Sequence, residues 1–186
     1  MLAAIALATA ASSSDAADSF YERYISGPGG ISPCYARTYS REHLAEHPKQ
    51  TVTRFYLTRS EYDEVGTARS FDVAFGFMLK TMRGPFSGYA TCRPRGDGAA
   101  CVVEADGGGI TLTPRPDGVL VSVDERLEVE GASGFSPDLH ASDDREFRLY
   151  TSDPESCFFD GVEDGDNAGN QSPVLEPLTP SIERAN

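Results

Sequence analysis

The chain reads as an all-β domain: about eight antiparallel strands in a meander that closes as a small barrel, with a two-sheet sandwich as the alternative. Two observations predict this. Apolar residues alternate with other residues in a series of short runs, as in Phe71, Val73, Phe75, Phe77 and Leu79, the period of a half-buried strand. Turn-forming clusters separate most of the runs, among them Arg83-Gly84-Pro85, Gly107-Gly108-Gly109 and Pro116-Asp117-Gly118. Closure is preferred because it removes the sheet edges.

Taken in chain order, residues 1–17 read as a signal peptide. They contain no Lys or Arg, run apolar and small from Leu2 to Ala11, and offer the small-x-small site Ala8-Thr9-Ala10. A basic start is missing, and the apolar run has about half the length of a membrane span. Residues 18–50 read as an N-terminal loop and short helix. Phe20, Tyr21, Tyr24 and Ile25 form a single helical turn before the breaker Gly27-Pro28-Gly29-Gly30. Ser40 then caps a helix over REHLAEH that Pro48 stops.

Residues 51–159 read as the barrel domain. Strands are expected near 51–59, 70–80, 85–93, 100–106, 109–114, 118–124, 126–131 and 145–151, with 132–144 as the longest internal loop. Residues 160–186 read as a disordered acidic tail, because six acids face one base among Gly, Asn, Pro and Ser.

The four cysteines are read as two disulfides, as suits an exported chain. Cys92 and Cys101 flank one hairpin and are expected to pair. Cys34 and Cys157 then remain, before the first strand and after the last, which are neighbours in a closed barrel. This is one of three possible connectivities. Cys-x-x-Cys is absent, so both bridges are read as structural.

The net charge of −13, with no basic stripe, argues against nucleic acid and anionic membranes as partners. It favours basic partners or cations. Sugar stacking would have to use Tyr or Phe, since there is no Trp.

Three groups of residues are candidates for chemistry. His43 and His47 are four apart, so a helix puts both imidazoles on one face, where they are candidate ligands of a divalent metal. Glu42, Glu46 or His140 would have to complete the set. The plainer reading is two histidines at the C-terminal end of a surface helix. Glu104 and Asp106 are expected on one strand face, and Asp143, Asp144 and Arg145 before the last strand; carboxylates across a barrel mouth suit acid–base work or cation binding. Turn chemistry explains them as well. Neither a catalytic triad nor a nucleophile elbow is visible, and no catalytic residue is assigned.

The blocks CYARTYSREHLAEHP at 34–48, CVVEADGGGITL at 101–112 and DDREFRLY at 143–150 resemble an uncharacterised family of exported alpha-proteobacterial proteins. The resemblance covers about a third of the mature chain. It implies export and no particular activity. It also implies that Arg37, His43, His47, Glu104, Asp106, Asp144 and Arg145 form one recurring pattern, the candidate binding residues.

The expected function is therefore an exported, disulfide-stabilised binding or interaction protein of the bacterial envelope, periplasmic or secreted, monomeric and without catalysis. Its partner would be an envelope or extracellular protein, or a small ligand. No cofactor is expected beyond that metal. The alternatives are a small-ligand carrier barrel, which needs an interior cavity, and a metal-dependent enzyme using His43 and His47. The many Phe and Leu on the inward register favour a filled interior.

Overall fold

The structure, a computed structural model, describes residues 20–63 and 66–159. The expected leader at 1–17 and acidic tail at 160–186 lie outside the described residues. The strands are β1 Cys34–Thr38, β2 Val52–Arg59, β3 Phe71–Leu79, β4 Pro85–Arg95, β5 Gly98–Val103, β6 Gly108–Arg115, β7 Gly118–Leu127, β8 Glu130–Gly131, β9 Gly134–Phe135 and β10 Glu146–Ser152. β1 to β7 and β10 form an eight-stranded closed antiparallel barrel. Each of β1 to β6 pairs with the next, β7 pairs with β10, and β10 returns to β1. The small β8–β9 hairpin hangs on β4 through Phe86 and Gly131.

The alternation builds the core. Phe55, Phe71, Phe75, Phe77, Phe86 and Phe147 are all less than 2% exposed. Phe55 stacks on Phe147 at 4.4 Å and Phe77 on Phe86 at 5.5 Å. Inward residues on all sides of the ring, including Leu57, Val73, Ala90, Ile110, Leu112, Val121 and Leu149, have no accessible surface. No void large enough for a water touches them.

Both ends of the barrel are closed. At the end where β3 begins, a single wide helical turn, Tyr21–Ser26, lies across the opening. The Phe20 and Tyr21 rings sit 6.3 and 5.3 Å from Phe71, and the Tyr21 hydroxyl donates to the Gly66 carbonyl at 2.9 Å. At the other end a 3-10 turn, Leu139–Ala141, buries Leu139 in the core. There Asp138 accepts from the Leu127 N–H at 3.0 Å and fastens the turn to β7.

The short helix α1, Arg41–Glu46, is capped as its sequence dictates: the Ser40 hydroxyl accepts from the His43 N–H at 3.2 Å. Both expected disulfides form. Cys92 and Cys101 are opposite each other in the β4–β5 register, inside the barrel. Cys34–Cys157 lies outside it and ties a 3-10 turn, Pro154–Cys157, to β1.

Eight strands are expected and eight close the barrel, but they are not the same eight. β1 falls in the stretch read as loop and helix, so the barrel begins at Cys34 and not at residue 51. Its signal is erased because Cys34, Tyr35 and Ala36 are all buried: the core covers one face and the Cys157 turn the other. The two strands read at 118–124 and 126–131 are largely one, β7. Asp124, Glu125 and Arg126 look like a turn but form a bulge opposite Gly108 and Ile110. Gly108 permits it, with φ +100°; a Cβ there would strike the Arg126 carbonyl. The strand read at 100–106 stops at Val103, so Glu104 and Asp106 do not share a strand face. Glu104–Gly107 is a tight turn whose central residues, Ala105 and Asp106, have φ of 52° and 58°.

Candidate functional site

Of the residues nominated from sequence, Arg37, His43 and His47 come together. The imidazoles of His43 and His47 are 4.4 Å apart, Tyr39 stacks on His43 at 4.9 Å, and the Arg37 guanidinium lies 4.4 Å over the Tyr39 ring. Gln50 donates to the Val52 carbonyl and turns its oxygen to His43 Nε2 at 3.0 Å. Among the described residues, no group of three or more His, Cys, Asp and Glu is placed to hold a metal ion.

Asp144 closes off its own chemistry. It is 1% exposed. Its carboxylate accepts from the Thr51 N–H and hydroxyl, the Val52 N–H and the Ser142 hydroxyl. Arg145 donates to the His140 and Ser142 carbonyls, holding the same loop. Glu104 and Asp106 stand on the β5–β6 turn, across the ring from β1. The nominated residues therefore divide between two sides of one barrel end.

A different feature forms a cleft, on the outer wall over β1 to β4. It encloses about 570 Å³ and is lined by Tyr56, Thr58, Glu61, Ala74, Tyr89 and Phe158, among others. Strand register builds it. Cys34, Thr58, Ala74 and Tyr89 lie side by side on four successive strands. The small Thr58 and Ala74 make the floor. Tyr89 makes one wall, with Tyr62 edge-on to it at 5.2 Å and 71°. The disulfide turn and Phe158 make the other.

That second wall is fastened firmly. Arg54 donates to the Ser156 and Phe158 carbonyls at 2.9 and 3.2 Å and lies over the Phe159 ring. Phe159 packs on Tyr56 over Gly76, where a Cβ would come within 2.6 Å of the Tyr56 ring. Of the exposed large apolar side chains, Phe158 lines the cleft, Tyr62 flanks it through Tyr89, and Ile31 precedes its lining residue Ser32.

Among the residues that line the cleft one carboxylate is left over, and the cation of the second wall, Arg54, is held by carbonyls. Arg59 is consumed by the nearly buried Asp63, with its Nε donating to that carboxylate at 2.9 Å. Among the described residues Glu61 has no cation partner. Tyr89 lies beside Glu104, whose N–H donates to the Tyr89 carbonyl. Burial raises the Tyr89 phenol above its ordinary range, and Tyr62, Glu61 and Glu104 raise it further. Burial raises Tyr56 likewise.

Apart from the bridged cysteines and the neighbouring Glu104, the sequence nominated none of these residues. Its one signal was the outward register of β3, where Ala74, Gly76 and Met78 replace the charged residues expected of a solvent face.

Comparison with protein-family models, with curated proteins and with solved structures finds no match for this chain. The two bridges are consistent with an oxidising, extracytoplasmic compartment. No described helix is long and apolar enough to cross a membrane.

Proposed function

We propose that the protein is an extracytoplasmic interaction module of the bacterial envelope that acts through the outer wall of its barrel and performs no catalysis. The observation that carries this is the contrast between inside and outside. The interior is filled by phenylalanine and closed at both ends, so a carrier role has no cavity to use. The outer wall carries an open aromatic cleft braced by a disulfide. Exposed aromatics around a concavity are the composition of protein-binding surfaces. The two disulfides and the resemblance to exported alpha-proteobacterial proteins support the location.

Site-specific crosslinking tests this reading. A benzophenone side chain at Tyr62 should capture a discrete partner in the extracytoplasmic fraction of the producing cell. The same group at Val102, exposed on the far wall, should not. Equal labelling from both positions, or none from Tyr62, would remove the cleft from consideration.

A further inference from the structure

We propose that the outer cleft receives a cationic side chain, a Lys or Arg presented on an extended basic segment of a partner protein. This names the ligand class of the site above and rests on that reading.

The first argument is charge. The chain carries −13 overall, and within the cleft Arg59 is neutralised by Asp63 while Glu61 has no described counter-ion. Glu104 stands behind Tyr89, its N–H on the Tyr89 carbonyl, while Arg54, the cation behind the opposite wall, is occupied by the Ser156 and Phe158 carbonyls. A cation is the ligand that such a field attracts and a neutral group gains nothing from.

The second argument is ring geometry. A cation binds over the face of an aromatic ring within about 6 Å of its centre. Tyr62 and Tyr89 meet at 71° and form a corner, so a head group set against one ring face remains beside the other ring and within the field of Glu61. The same corner is a poor platform for a sugar, which stacks flat on one broad face; the chain has no Trp to supply that face.

The third argument is the floor. Thr58 and Ala74 are short and lie between Tyr89 and the disulfide turn that carries Phe158, so a side chain enters there without displacing anything. The aliphatic stem of Lys or Arg is matched to that apolar slot, with the charge at its end.

The test is a nuclear magnetic resonance titration of the full chain with three probes. These are the peptide acetyl-Gly-Arg-Gly-Lys-Gly-amide, its twin with Gln for both basic residues, and cellotetraose. The basic peptide should shift Thr58, Glu61, Ala74 and Tyr89, and should bind about tenfold tighter than the Gln peptide. Glu61→Gln should weaken it about fivefold or more with the melting temperature unchanged, Tyr89→Leu should weaken it as much while the chain keeps its folded spectrum, and added salt should weaken it further. Equal binding of the Gln peptide, binding of the sugar alone, or an unchanged affinity in Glu61→Gln would overturn the cation preference and leave the cleft as an interaction site. Failure of every probe to perturb the cleft would overturn both.

Discussion

Asp144 spends its whole acceptor capacity inside the protein. Its carboxylate joins the loop before β10 to the first residues of β2. Asp144→Ala leaves the Thr51 and Val52 amides without their acceptor, and the expected loss is about 2–4 kcal/mol in a urea melt. Asp144→Asn should lose less. A second consequence concerns the phenols. Burial pushes Tyr35 up to about 12 from an ordinary value of 10, with Tyr24 adding and Arg23 opposing; Tyr39 and Tyr56 are raised too, again chiefly by burial. The folded state therefore holds these protons more tightly than the unfolded chain does. The Tyr35 contribution is complete below pH 10 and is lost as the pH rises from there toward 12, and those of Tyr39 and Tyr56 are lost in the same direction. Absorbance of tyrosinate should rise in two phases, exposed phenols first and the buried group only with unfolding. A single phase near the ordinary value would contradict the burial.

The β5–β6 turn is an element at odds with its residues. Ala105 and Asp106 both hold left-handed backbone, which costs an ordinary residue roughly 1–2 kcal/mol. Asn accepts that conformation more readily. Ala105→Asn should therefore stabilise by about 0.5–1 kcal/mol, read from thermal melts; a destabilised variant would show that the turn has another conformation. β1 displays the opposite relation between sequence and element. Nothing in Cys34-Tyr35-Ala36-Arg37-Thr38 alternates, because the strand is covered on both faces. A strand with one face in water alternates polar with apolar, and so β7 and β10 were legible while β1 was not.

At the scale of the whole molecule, the Cys34–Cys157 bridge links residues 123 apart and also holds one wall of the cleft. Replacing both cysteines with Ala should cost about 4–5 kcal/mol on the chain-entropy account. It should also weaken binding of the basic peptide, because Phe158 then loses its anchor. Chemical denaturation and the same titration check the two effects separately; a variant that loses stability and keeps full affinity would show that the bridge does not shape the cleft.

The sequence by itself pointed to the barrel ahead of a sandwich, to the capped helix, and to the disulfide pairing that formed out of three possible ones. Most of this depends on information local to a segment: a period of two, a cap three residues from its partner, cysteines flanking one hairpin. The last two cysteines needed only the closure that the strand count implied. The nominated residues had a mixed outcome for the same reason. His43 and His47 meet because one helix turn brings them together, whereas Glu104 and Asp106 part because a turn replaced the expected strand. The cleft was decided by tertiary structure alone. Its residues come from four neighbouring strands and a turn that a bridge spanning 123 positions ties to β1. Only the lateral register of the closed barrel sets small side chains between large ones, and no single segment carries that pattern.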